Sequence, residues 1–354
     1  MSIYGKFLQS FFALGMISAR RMVLLGMILL LNYFSNGQDI QFSQFYANVL
    51  YQNPAFTGSA HGLRGIAHQR LQWPNLDARY ITSMISVDNY FSGSRSGIGL
   101  MYLKDWQGAS HITSSELSLQ YAQEISLSSR YFIRAGAQGT FASRNLDYAK
   151  LTFPDQFNDD GFNDPVTGEP FGANNTEYFD CALGGLLYSD NLWIGISSHH
   201  INTPEQSFYD DESDLPHKLA VSAGYKFRMK GRQFRNEDGE VSITPTMHYK
   251  LQGKSDQLDL GLYGAYDQLI LGIWYRGIPL LKHYREGLQN NEAVIFLAGW
   301  KITSNLSLAY SYDFTVSKLV PAKTGGSHEL NITYVYNKPP KKKKPMKKLP
   351  CPKF

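Results

Sequence analysis

Residues 257–266 read Gln-Leu-Asp-Leu-Gly-Leu-Tyr-Gly-Ala-Tyr. Leu258, Leu260 and Leu262 alternate with Asp259, Gly261 and Tyr263. A period of two sends successive side chains to opposite faces of a strand, so this segment has one apolar face and one polar or mixed face. The pattern recurs in both directions from here. Leu306, Leu308, Tyr310 and Tyr312 alternate with Ser307, Ala309, Ser311 and Asp313. Leu219, Val221, Ala223, Tyr225 and Phe227 alternate with Lys218, Ala220, Ser222, Gly224 and Lys226. Leu117, Leu119 and Tyr121 alternate with Glu116, Ser118 and Gln120, and Val241, Ile243, Met247 and Tyr249 with Ser242, Thr244, Thr246 and His248. Along the whole chain this period predicts about fourteen strands. They fall near 63–72, 80–89, 96–105, 111–125, 131–143, 178–188, 192–201, 217–227, 241–251, 257–266, 269–276, 292–301, 306–313 and 326–336.

The connections sort by length. Those at 144–177, 202–216, 277–291 and 314–325 are long, whereas Ser189-Asp190-Asn191, Asp267-Gln268 and 302–305 are short. Long loops at one end and tight turns at the other mark an outer-membrane barrel, whose lipid-facing and lumen-facing residues alternate. The exception is 228–240, a long basic and polar connection. An even strand number brings both termini to the short-turn, periplasmic side. The expected fold is therefore all-β: a transmembrane antiparallel β-barrel with a short N-terminal periplasmic or plug segment. A soluble propeller would show a repeat of about 40–50 residues, which is not seen.

Composition agrees. The 354 residues are 43% hydrophobic and 14% aromatic, too polar for a bundle of membrane helices. A barrel needs only every second residue to be apolar. The two cysteines, Cys181 and Cys351, exclude a disulfide-rich scaffold and form no CxxC pair. The net charge of +4 hides an asymmetry. Residues 337–354 hold eight lysines and no acids, and residues 1–37 hold three cations and no acids, which leaves −7 on 38–336. The body is acidic and the tail is a separate basic feature.

Residues 22–31 (MVLLGMILLL) follow Arg20 and Arg21 and precede Ser35-Asn36-Gly37. This is the layout of a secretory signal peptide, with cleavage expected near Gly37 and initiation at Met16 giving a compact signal. The competing reading, a core helix or membrane anchor, meets an apolar run far short of the about 20 residues a membrane helix needs. The domain layout is then 1–37 signal peptide, 38–62 N-terminal segment, 63–336 barrel and 337–354 basic tail. In the N-terminal segment Phe42, Phe45, Tyr46, Val49 and Leu50 stand three and four apart. That spacing suggests a short amphipathic helix ending near Asn53 and Pro54. Two roles fit it: a plug or packing segment at the periplasmic mouth, or an element that docks a partner.

Catalytic and metal signatures are weak. No GxxxxGK(S/T) loop or GxSxG elbow occurs. The acidic loop 155–169 fails as an EF-hand, because Gln156 and Thr167 would fill its first and twelfth positions. His199 and His200, adjacent on a strand, are expected on opposite faces, and with His217 read as strand-end polar residues. Glu116, Asp180, Asp259 and Asp313 read as lumen electrostatics. No enzyme, cofactor or metal is expected. In the tail, Lys341, Lys342, Lys343 and Lys344 lie between prolines that hold the chain extended. Their charge suits a periplasmic protein or peptidoglycan; an exported chain does not meet nucleic acid.

Five stretches resemble the PorP/SprF family of type IX secretion membrane proteins. They are Gln38-Asp39-Ile40-Gln41-Phe42-Ser43-Gln44-Phe45-Tyr46; Tyr51-Gln52-Asn53-Pro54-Ala55-Phe56-Thr57-Gly58; Phe153 with Asp155-Gln156; Phe179-Asp180 with the run from Trp193 through His199, His200 and Pro204; and Gly326-Ser327-His328-Glu329 with Cys351-Pro352-Lys353-Phe354. Together they cover essentially all of the chain after the signal. The resemblance implies an outer-membrane barrel of the secretion and gliding machinery. Its implied partners are periplasmic ring lipoproteins and a peptidoglycan-binding protein, or one large secreted adhesin. The lysine-rich tail departs from a simple family member. A diffusion or uptake channel is the alternative function.

Overall fold

A computed structural model of the chain describes residues 39–108, 112–158, 161–162, 166–209, 213–229, 241–278, 283–285, 288–289, 291–317 and 322–336. The signal peptide, Cys351 and Lys341 to Lys344 lie outside the described residues. Fourteen strands form the barrel. They are β1 (Leu63–Gln72), β2 (Tyr80–Phe91), β3 (Ser96–Gln107), β4 (Ile112–Ser126), β5 (Phe132–Leu146), β6 (Asn175–Tyr188) and β7 (Leu192–His199). There follow β8 (Lys218–Tyr225, continued by Phe227–Arg228), β9 (Ser242–Gln252), β10 (Ser255–Tyr266), β11 (Leu269–Gly277), β12 (Asn291–Lys301), β13 (Leu306–Thr315) and β14 (Ser327–Tyr336). Each pairs antiparallel with the next, and β1 pairs with β14, so the meander closes and leaves no edge. Closure satisfies the backbone polar groups where no water is present. No helix of the described residues is long and apolar enough to cross a membrane.

Every strand expected from the alternation is present. The observed β5 and β6 run beyond the expected ends, reaching Leu146 and starting at Asn175. There the ladder pairs Ser143, Arg144 and Asn145 with Glu177, Thr176 and Asn175. These residues are polar on both faces, so the period-two signal vanishes although the hydrogen-bonded ladder continues.

The two faces differ as the alternation requires. Ile85, Val87, Leu119, Leu183, Leu271 and Phe296 point outward and are exposed, while Ser86, Asp88, Gln120 and Asp180 point inward and are buried. Phe91, Tyr131, Tyr266, Trp300 and Tyr336 stand exposed near the short-turn end. Aromatics in that position form the girdle found at a membrane interface.

The lumen holds the segment before β1. Residues 42–50 and 52–60 are buried. Regular helix is confined to one turn, α1 (Val49–Gln52), followed by a 3-10 turn at Pro54–Phe56. The aromatic spacing suggested a longer helix. The difference has a local cause: the Ser43 and Gln44 N–H groups donate to the two carboxylate oxygens of Glu329 at 2.6 and 2.8 Å. The lumen wall, and not a helical turn, satisfies that backbone.

The segment does not stay at the short-turn mouth. β1 begins and β14 ends at the short-turn end, as an even strand number demands. Asp39, however, bonds to His200, Lys218 and Gln252, where β7, β8 and β9 meet the long-loop end. From there the segment descends through the lumen to Gly58, beside Asp88 and Gly97 near the short turns.

Candidate functional site

The candidate site is the lumen with its plug. Three groups of buried polar contacts hold it, two toward the long-loop end and one near the short turns. At the long-loop end the Asp39 carboxylate accepts from the Lys218 ammonium and from Gln252 Nε2 at 2.7 Å, and meets His200 Nε2 at 2.8 Å. His200 Nδ1 lies 3.0 Å from Asp180 Oδ2. Lys218 also stands over the Tyr51 ring, 5.1 Å from its centre.

Burial alone would push the Asp39 carboxyl up, but Lys218 and His200 outweigh it and hold it well below the usual carboxylate range. Burial disfavours charge on His200 as well, yet Asp39 and Asp180 lift it to about 9. The ring is therefore protonated at neutral pH and donates to both carboxylates. The stabilisation from His200 is complete below its unfolded value of about 6.5 and is lost as pH rises through about 9. That from Asp39 is present above about 4 and is lost as pH falls through its depressed value. Hydrogen exchange at residues 39–43 is therefore expected to accelerate several-fold between pH 6.5 and 9.5, after correction for intrinsic exchange. His200→Gln should flatten that profile; an unchanged profile in the variant would remove His200 from the latch.

On another part of the wall, two residues from the long-loop ends of β1, β13 and β14, Arg70 bonds to Glu329 and reaches Asp313 Oδ2 at 3.1 Å. Arg276 Nε reaches Asp259 Oδ1 at 3.2 Å and Arg276 Nη2 reaches the Phe42 carbonyl at 3.3 Å. The aromatic residues of the plug pack into the wall here. Phe45 stacks on His248 and meets Trp274 edge-on at 4.5 Å, and Tyr46 meets Tyr263 edge-on at 4.7 Å. Phe42 lies edge-on to His68 and Tyr51. A cavity of about 50 Å³ beside Phe42, Tyr51, Lys218, His248 and Lys250 has room for one or two waters.

Near the short turns, Arg64 forks onto Asp88 with contacts of 2.8 and 2.9 Å, and Gly58 N–H donates to the same carboxylate at 2.6 Å. Gly58 has φ +76°, which suits glycine. Arg134 donates to Glu124 at 2.8 Å, to the Ala55 carbonyl at 2.9 Å and to the Thr57 carbonyl. The backbone approaches closely here. A Cβ on Gly136 would sit 2.4 Å from the Ala55 nitrogen, and one on Gly97 2.2 Å from the Thr57 oxygen. The wall is thus shaped to the plug backbone.

Phe42, Phe45, Tyr46, Asn53 and Pro54, the residues singled out in the sequence, all lie buried in the lumen. Asn53 Nδ2 donates to the Gly185 and Ile196 carbonyls at 3.1 and 2.9 Å, and its Oδ1 accepts from Ala55 N–H. His199 and His200 are not on opposite faces. β7 ends at His199, and His200 has φ +56°, so the kink returns its ring to the lumen side. Both rings are buried, with centres 6.2 Å apart; His199 Nε2 contacts the Gln52 carbonyl at 3.2 Å. Arg64, Arg70, Arg134 and Arg276 belong to no motif, yet they line the lumen. A signal was available for three of them: Arg64, Arg134 and Arg70 stand on the polar parity of alternating strands, whereas Arg276 shares its face with Ile270, Gly272 and Trp274.

The family described as type IX secretion system membrane protein PorP/SprF matches residues 34–334. Among solved structures, the Acinetobacter baumannii outer membrane protein Omp33 is similar at 7% identity, over 78% of this chain and 98% of that one, with a TM-score of 0.44. The P. putida toluene transporter TodX is similar at 12% identity, over 81% and 93%, with a TM-score of 0.43. A KdgM porin is similar at 10% identity, over 77% and 99%, with a TM-score of 0.34. None is close enough to transfer a lumen or a substrate. No curated protein is similar to the chain in sequence.

Proposed function

The chain belongs to the PorP/SprF family of type IX secretion system membrane proteins, and we propose that it serves there as a plugged, non-enzymatic anchor in the outer membrane. Its partner is either a large secreted adhesin, in a role supporting gliding, or the periplasmic ring lipoproteins with their peptidoglycan-binding protein. One observation carries this reading: residues 42–50 and 52–60 fill the lumen and are buried against paired charges and aromatic side chains. A diffusion or uptake channel needs a continuous polar path, and a plug fixed at both ends and along its middle argues against one. Long loops face the exterior in such barrels, so the loop 202–216 is the surface available to an adhesin. The lysine tail follows β14, which ends at the short-turn side, and there it can meet a periplasmic partner by charge.

The test is crosslinking in intact cells carrying a tag in the 202–216 loop, followed by purification of the outer membrane. Recovery of one giant adhesin or of ring lipoproteins is expected. Changing Lys341, Lys342, Lys343 and Lys344 together to glutamine should lower recovery of a periplasmic partner several-fold and leave an adhesin unaffected. Recovery of the barrel alone, with steady ion conductance in planar bilayers, would overturn the anchoring role in favour of the channel.

A further inference from the structure

We infer that the chain upstream of Asp39 leaves the barrel through the long-loop mouth, so that the processed N-terminus lies on the outer face while the C-terminal tail departs from the opposite end. This rests on the readings above that the long loops face the exterior and that the chain is cleaved near Gly37.

Position is the first support. The three groups that hold the Asp39 carboxylate are His200, just past the end of β7, Lys218 at the start of β8 and Gln252 at the end of β9. All three belong to the long-loop end. The Asp39 N–H donates to Gln252 Oε1 at 3.0 Å, which directs the backbone as well as the side chain to that end. Reach is the second support. A ten-residue strand spans about 30 Å, so Asp39, held at the long-loop ends of β7, β8 and β9, stands about that far from the short turns, many times the about 3.5 Å that one residue reaches.

Occlusion is the third support. A longer upstream segment would have to pass back down the lumen. That way is filled by Phe42, Phe45 and Tyr46 against Trp274 and Tyr263. Below them the plug backbone runs against Gly136 and Gly97 with no room for even a methyl group. β1 then takes the chain up through the wall from the short-turn end. The chain therefore passes down its own lumen before entering the sheet, and its two termini lie on opposite sides of the membrane. A partner on each side can then engage one end of the same barrel.

The experiment uses the full chain with Cys181→Ala and Cys351→Ala. A Gly-Ser-Cys-Gly insertion between Gln38 and Asp39 reports the N-terminus. Phe157→Cys, on an exposed hairpin of the 147–174 loop, reports the long loops, and a cysteine added after Phe354 reports the tail. Cells are treated with a membrane-impermeant maleimide, intact or permeabilised, and heat-modifiable mobility on gels identifies folded barrel. The insertion and F157C are expected to label in intact cells to within about two-fold of each other, and the tail cysteine only after permeabilisation. Labelling of the insertion only after permeabilisation, with F157C labelled in intact cells, would overturn the inference and leave the orientation standing. Labelling of both only after permeabilisation would overturn the orientation and the outer display together. An insertion unlabelled even in permeabilised cells would place it inside the lumen and likewise overturn the exit.

Discussion

Arg134→Ala is expected to destabilise the folded barrel by about 3–5 kcal/mol, because it strands a buried carboxylate. Arg134 is fully buried and neutralises Glu124 at 2.8 Å. Without it Glu124 keeps, among the described residues, the Tyr90 and Tyr188 hydroxyls, at 3.1 and 2.7 Å. The Ala55 and Thr57 carbonyls of the plug lose their donor in the same step. The measurement is urea unfolding in detergent. With a slope of about 1–3 kcal/mol per molar urea, the midpoint should fall by at least about 1 M. Arg134→Met combined with Glu124→Gln should recover much of that loss, since it removes the stranded charge. A midpoint within 0.3 M of the parent for Arg134→Ala, on the order of the measurement error, would show that the pair contributes nothing net.

Gly136→Val should displace the plug while leaving the strand in place. The first added carbon would lie 2.4 Å from backbone atoms of Pro54 and Ala55. Backbone cannot swing aside as a flexible side chain can, so residues 53–58 must leave their groove. Overpacking of this kind costs about 1–3 kcal/mol or more, comparable to the contacts that hold this half of the plug. The expected result is protease cleavage within 39–60 and ion conductance in planar bilayers at least about ten-fold above the parent. Gly264→Val is the matched control, because nothing lies within 4 Å of its added carbon. A Gly136→Val barrel as closed and as protease-resistant as Gly264→Val would mean that the plug is not what seals the lumen.

These two effects arise at positions of different legibility. The lipid face was open to reading from the sequence. Leu258, Leu260 and Leu262 had to face lipid because a strand has a period of two and hydrocarbon tolerates no charge at those positions. The same rule assigned Asp180, Asp259 and Asp313 to the lumen. It counted the strands, and it sorted most connections into long and short. Its strand ends differ from those observed by up to three residues, most where both faces are wet, as at Arg144 and Asn145.

The fate of the N-terminal segment was not open in this way. Its aromatics recur at helical spacing, and that periodicity states only that one side is buried. Which surface buries it depends on residues more than 200 positions away, such as His248, Trp274 and Glu329. Those residues converge only when β14 pairs with β1. His200 makes the same point over a shorter distance: alternation assigns it outward, and one backbone angle outside the strand, fixed by its bonds to Asp39 and Asp180, turns it inward. Local periodicity by itself determined a fourteen-strand barrel with a greasy exterior and a polar lumen, because strand geometry and lipid act on each residue separately. Only the tertiary structure decided that the lumen is filled, and from which end its filling enters, because pairing buried charges and fitting backbone to glycine are relations between residues that the chain brings together only on closing.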